Sequence, residues 1–224
     1  MKAAESEKNN LADIIKNEDI HLNFREFLIM MQQYRAGIKE VQTKLEILDE
    51  EFHVKYKYNP IHQIISRMKE PQSIINKIKK YNIPITIDSI RKHVRDIAGI
   101  RVICNYTDDV ERIMNLLINQ NDIKLIAKKD YIKNPKESGY RSLHIVVEVP
   151  VFLAEETMNT PVEVQIRTIA MDFWASLDHQ LRYKNPDKVT DELRTRLKNC
   201  SEDINKIDLE MQAIQKKIYQ LDDE

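Results

Sequence analysis

The sequence predicts an α+β or α/β domain set between two long helices. Three observations point that way. Apolar residues recur at steps of three and four near both ends, the middle alternates short apolar strands with helical pieces, and only three glycines occur in 224 residues. Apolar residues make up 42% of the chain and charged residues 32%, enough for a core and better suited to helices than to a sandwich or barrel.

In chain order, Phe27, Met31, Tyr34, Ile38, Val41, Leu45 and Leu48 form a narrow helical seam in an N-terminal helical region, 1–52. "NPIHQIISRMKEPQSIINKIKKYN" reads as two helical pieces broken at Pro71, a residue suited to the first position of a helix. "IDSIRKHVRDIAG" reads as a short helix ending at Gly99, "IRVICNY" as a strand, and "DDVERIMNLLINQ" as a helix opened by acids. "IKLIAKKDYI", "SLHIVVEVP" and "PVEVQIRT" read as strands, with a long loop at 132–141, and "MDFWASLDHQLRYK" returns to helix. This middle unit spans 53–185. The final segment, 186–224, carries the longer seam Leu193, Leu197, Cys200, Ile204, Ile207, Met211, Ile214, Ile218 and Leu221. Two such seams pack either on each other within one core or on neighbouring subunits.

Net charge is −1, but it is unevenly spread. From His53 to Arg101 there are eleven Lys/Arg against three acids, while the first 52 and last 24 residues are acidic. A basic centre between acidic wings suits a compact anionic ligand better than a polyanion wrapping the surface. Cys104 and Cys200 lack metal-ligand spacing and read as reduced cytosolic thiols. The N-terminus has no apolar leader, and no apolar run approaches the roughly 20 residues of a membrane span. A cytoplasmic protein is expected.

Scarce, scattered glycines exclude a G-x-G-x-x-G loop and a Walker A loop, so phosphates would have to be held by Lys and Arg. In "PVEVQIRT", alternation sends Val162, Val164 and Ile166 to one face and Glu163, Gln165 and Arg167 to the other. A solvated strand face would look similar. "RDIAGIR", however, puts Asp96 just before a strand and Arg101 within it. Two carboxylates among cations can hold Mg²⁺ through oxygen ligands and leave one able to accept a proton. The structural alternative for Asp96 is an ion pair with Arg95 or Arg101. Arg67 and Lys69 precede a helix N-terminus that favours phosphate and are the better phosphate candidates, with Ser73 beyond it. Lys77, Lys79 and Lys80 read more readily as an ordinary solvated basic face. In "KNPKESGYRSLHIVVEV", Tyr140 follows Gly139 between Lys136 and Arg141. It is either a packing plug or a flat platform for a base, and His144 is either a satisfied strand histidine or a ligand contact.

"SRMKEPQSI", "RDIAGIRVIC", "KKDYIKNPKESGYRSLHI", "PVEVQIRT" and "MDFWASLDHQLRYK", in that order, resemble the synthetase domain of RelA/SpoT-type enzymes. The length is similar to the small alarmone synthetases, and among them to the RelP subgroup. The resemblance implies a mixed sheet flanked by helices, α+β and similar to nucleotidyltransferases. It implies Mg²⁺-dependent transfer of pyrophosphate from ATP to the ribose 3′-hydroxyl of GDP or GTP, giving AMP and ppGpp or pppGpp. By motif, Asp96 and Glu163 would bind the metal, with Glu163 also the base. Arg67 and Arg101 would sandwich adenine, with Lys69, Ser73 and Lys77 near the ATP phosphates. Tyr140 would stack on guanine, Lys129, Lys136 and His144 would contact the guanosine substrate or the transferred group, and Gln165 would support Glu163. Asp172 stands where some relatives have Asn and receives no role. The resemblance further implies a synthetase without a hydrolase domain, assembled as a homotetramer through its terminal helices, with no need for nucleic acid. The competing expectation is a nucleotide- or RNA-binding regulator that keeps the fold without the chemistry.

Overall fold

The computed structural model describes residues 24–184 and 189–222; the start of the expected N-terminal helical region lies outside them. Its elements are α1 (Phe24–Lys55), β1 (Ile61–Met68), α2 (Pro71–Lys80), α3 (Ile87–His93), β2 (Ala98–Cys104) and α4 (Thr107–Ile118). They are followed by β3 (Lys124–Asp130), β4 (Leu143–Phe152), β5 (Thr157–Thr168), α5 (Ile169–Lys184) and α6 (Asp191–Asp222). The five strands form one sheet in the order β1-β2-β5-β4-β3. Only β2 and β5 run parallel; the other neighbours are antiparallel, so the sheet is mixed and the class is α+β.

Strand parity divides the sheet into two chemically different faces. Ile100, Val102, Ile145, Val147, Val162, Val164 and Ile166 are buried in one core with Phe27, Met30, Tyr34, Ile38, Val41 and Leu45 of α1. The expected α1 seam is therefore real but wider than a coiled-coil stripe, taking in Met30, Gln33 and Gly37. Packing on the broad surface of a sheet, rather than on one helix, explains the added width. α6 lies elsewhere, against α5 and α4, so the two terminal seams do not share one interface.

One element departs from the sequence reading. Ile61–Met68 is a strand, not the first of two helical pieces. Its apolar residues fall at 61, 64, 65 and 68, which is helical spacing. A register shift between Ile61 and Gln63 accounts for this pattern. It lets Ile61, Ile64 and Met68 all reach the core, although two are three residues apart. Backbone pairing with Ala98–Cys104 prevails over the local periodicity. Pro71 then opens α2 as expected, at its first turn.

Candidate active site

The second face of the sheet collects the polar residues. In register, Arg67 of β1 stands beside Gly99 of β2, and Gly99 beside Glu163 of β5. Arg101 pairs with Gln165, His144 of β4 with Gln165, and Lys129 of β3 with His144. A Cβ on Gly99 would lie 3.3 Å from Cγ of Arg67, so the missing side chain gives the arginine stem room to cross β2. A cavity of about 800 Å³ opens over this face, lined by Arg67, Arg101, Lys136, Tyr140, His144 and Gln165 together with Arg167 and residues of α5.

Asp96, just before β2, receives Lys77 Nζ on Oδ1 at 2.8 Å and Lys69 Nζ on Oδ2 at 3.0 Å. Burial disfavours its charge, but the hydrogen bonds from Lys77 and Lys69 prevail and hold the carboxyl below its ordinary range. Glu163 follows the same logic. Burial again disfavours ionisation, and hydrogen bonds from His144 and Gln165 overcome it, although the negative charge of Asp96 opposes them. Both groups are carboxylates at neutral pH.

A hydrogen-bonded chain runs from this carboxylate to the loop before β4. Nδ1 of His144 lies 3.5 Å from Oε1 of Glu163. Its Nε2 lies 2.8 Å from the Tyr140 hydroxyl, and that oxygen accepts from Nη2 of Arg167. With a proton on Nδ1 of His144 and Nε2 accepting, every partner is satisfied: Arg167 donates to Tyr140, Tyr140 to His144, and His144 to Glu163. Lys136 Nζ sits 4.8 Å from the centroid of the Tyr140 ring and 4.7 Å from that of Tyr131. The loop therefore presents an oriented ring with cations beside it.

Arg167 and Asp172 complete the wall. Arg167 is buried to 4% exposure and also donates to Gln165 Oε1 at 2.9 Å. One oxygen of Asp172 lies 3.1 Å from Nη1 of both Arg101 and Arg167. Burial and then the Arg167 charge push the Arg101 guanidinium down from its usual range. Nε of Arg101 is buried without a hydrogen-bond partner among the described residues. This wall is built for an anion.

Of the residues singled out in the sequence, Arg67, Arg101, Lys136, Tyr140, His144 and Gln165 share one cavity. Glu163 joins it through His144 and Gln165, and Lys69, Lys77 and Asp96 form an ion cluster near the same strand ends. Ser73, in the first turn of α2, and Lys129 are exposed at the margins and do not line the cavity. Sequence reasoning gave no role to Arg167, Asp172 or Tyr131. The parity that selected Glu163 also selects Arg167. Asp172, Ser176 and His179 lie at helical spacing of four and three, a polar stripe that could have been read from "MDFWASLDH".

The profile described as "Region found in RelA / SpoT proteins" matches residues 66–188, a span holding every one of these groups. The chain belongs to the RelA/SpoT family. It is 38% identical to the GTP pyrophosphokinase YwaC of Bacillus subtilis over 185 residues, covering 83% of this chain and 88% of that protein. It superimposes with a TM-score of 0.81 on small alarmone synthetase 1 from Bacillus subtilis bound to its product pppGpp. That match has 32% identity and covers 87% of this chain and 99% of the other. The same synthetase bound to AMPCPP matches with a TM-score of 0.73 at 27% identity, covering 87% and 98%. The sheet described above is thus the fold of a RelA/SpoT synthetase domain.

The donor chemistry of this RelA/SpoT site also fits a hard divalent cation. Asp96 and Glu163 are ionised oxygen donors close enough for one charge to act on the other. Among the described residues no cluster of three His, Cys, Asp or Glu occurs. Two protein carboxylates suit an ion that takes its other ligands from water and phosphate.

Proposed function

We propose that this protein transfers the pyrophosphoryl group of ATP to the ribose 3′-hydroxyl of GDP or GTP, releasing AMP and ppGpp or pppGpp. The observation that carries the reading is Glu163, an ionised carboxylate hydrogen-bonded to His144 and Gln165, two residues that line a cation-rich cavity beside the Tyr140 platform. Belonging to a family whose relatives are named GTP pyrophosphokinases supports it.

Arg67 and Arg101 hold the adenine end of ATP between two guanidinium planes, and Lys69, Ser73 and Lys77 receive its phosphates. Tyr140 stacks on guanine, Gln165 steadies Glu163, and Lys136, Lys129 and His144 face the acceptor phosphates or the transferred group. Glu163 takes the proton from the 3′-hydroxyl as its oxygen attacks the β-phosphorus of ATP. The bond from that phosphorus to the oxygen bridging to the α-phosphate breaks, and AMP leaves with the bonding electrons. Mg²⁺, held by Asp96 and Glu163, supplies charge neutralisation for the phosphate oxygens when bound. Residues 53–185 make up the synthetase domain in this reading, flanked by the segments 1–52 and 186–224.

Assembly and location belong to the same proposal. Leu193, Ile207, Met211, Ile214 and Ile218 of α6 are 40–63% exposed, so most of the expected seam points away from its own domain. Copies of this chain cover these faces in a homotetramer. No helix among the described residues is long and apolar enough to cross a membrane, and the substrates place the reaction in the cytoplasm. The deciding experiment supplies Mg²⁺, ATP and GDP and separates the products by ion exchange. AMP with a guanosine 3′-diphosphate supports the proposal. ADP identifies an ordinary kinase, and free pyrophosphate a nucleotidyltransferase.

A further inference from the structure

We infer that Ser201 of α6 is a positioning residue for the acceptor nucleotide, acting through the carbonyl of Gly139 on the loop that presents Tyr140 and Lys136. The inference rests on the reading that this loop holds the acceptor. Ser201 is buried to 4% exposure, and its hydroxyl donates to Gly139 O at 2.5 Å. A helical serine commonly returns its hydroxyl to a carbonyl of its own preceding turn. This one leaves its helix and reaches a loop 62 residues away in sequence.

The contact fixes more than a single atom. The Gly139 carbonyl belongs to the peptide that leads into Tyr140, so fixing it sets the plane from which the ring departs. Gly139 has φ +91°, and its N–H closes a turn onto Lys136 O at 2.8 Å. The Lys136 N–H in turn donates to Tyr140 O at 3.2 Å. A Cβ on Gly139 would lie 2.8 Å from Cβ of Ser201 and 3.4 Å from Cα of Lys198, so loop and helix are already at closest approach. Only glycine combines that backbone angle with that proximity.

α6 is itself anchored on either side of Ser201. Trp174 Nε1 donates to Leu197 O at 2.9 Å, and Thr168 Oγ1 to Asp208 Oδ2 at 2.6 Å. Positions 197, 201 and 208 are four and seven residues apart, so they share one face of the helix. The clamp joins the end of β5, the start of α5 and the acceptor loop. Ser201 does not line the cavity, so its effect on binding passes through loop order, which lowers the cost of seating a ligand.

Ser201→Ala keeps the helix and removes the hydroxyl. Steady-state kinetics on the full chain should show KM for GDP raised about fivefold, the scale of one lost hydrogen bond. KM for ATP, and kcat at saturating GDP, should stay at the wild-type values. In a Tyr140→Ala background the same change should add a smaller rise, because part of the effect of Ser201 passes through that ring and the rest through Lys136. Amide exchange of the loop 138–141 should be faster in Ser201→Ala than in wild type. An unchanged KM for GDP with unchanged exchange overturns the inference. So does an equal rise in both KM values, which marks general loosening. Wild type that forms no AMP from ATP and GDP removes the proposed function instead; exchange then decides alone, faster exchange upholding the clamp and equal exchange overturning it.

Discussion

His144 stands between Glu163 and Tyr140, with Nδ1 3.5 Å from the carboxylate and Nε2 2.8 Å from the phenol. Its hydrogen bond helps hold the Glu163 carboxyl below the ordinary value, so removing the ring releases that carboxyl upward. His144→Ala should move the acid limb of the kcat profile to higher pH, because the base is then protonated earlier. A pH–rate series on both proteins reads this directly, and an unmoved acid limb would separate His144 from the base.

Glu163→Gln keeps shape and hydrogen bonding but cannot accept the proton. AMP release should fall about 10²- to 10⁴-fold, the usual range for a positioned base. Calorimetric titration should show ATP still bound, since the adenine-side cations are untouched.

Acid stability should depend on the two carboxylates. Asp96 titrates below its ordinary 3.8 and Glu163 below 4.5, so each is more acidic folded than unfolded. Such groups stabilise the fold above their unfolded values, and that contribution is lost as pH falls through the folded ones. Urea unfolding of wild type and Asp96→Asn should differ by a constant amount above about pH 5, with the gap closing below about pH 4.

Asp172 holds two guanidinium groups with one oxygen. Asp172→Ala leaves Arg101 and the buried Arg167 facing each other without a counter-charge. A loss of about 1.5–3 kcal/mol in unfolding free energy is expected, the scale of a charged hydrogen bond. Asp172→Asn, which keeps an acceptor oxygen, should lose less.

Ile207 and Met211 are 63% and 51% exposed on α6, so a charge there costs an isolated chain little. Ile207→Glu with Met211→Glu should reduce the mass in light scattering from about four times 26.5 kDa, while circular dichroism stays unchanged. Retention of the wild-type mass would place the assembly surface elsewhere.

Most of the site was legible because strand alternation is a strict rule. Once "PVEVQIRT" is a strand, Glu163 and Gln165 must share a face, and the motifs on either side supply the cations. β1 was not legible, because a bulge gave it the apolar spacing of a helix and only pairing with β2 decides otherwise. The role of Asp172 was hidden by the need to know that α5 folds back over the sheet. The outward turn of the α6 seam was hidden for a related reason. Ser201 and Asp208, polar in sequence, are the residues it buries, while Ile207 and Met211 are exposed.

The parity of β5 also limits how this gene can vary in length. Val162, Val164 and Ile166 are fully buried, and Glu163 and Gln165 between them belong to the opposite face of the sheet, where Gln165 lines the cavity. One codon inserted within β5 before position 162 would exchange the two sets, pointing a glutamate and an arginine into the oily layer beneath α1 and valines toward the polar face. A two-codon insertion would keep each side chain on its own side and shift only its neighbours. Odd length changes within β5 should therefore survive only where a bulge absorbs the extra residue, as one does in β1, a reading frame of two imposed by the pleat rather than by the code.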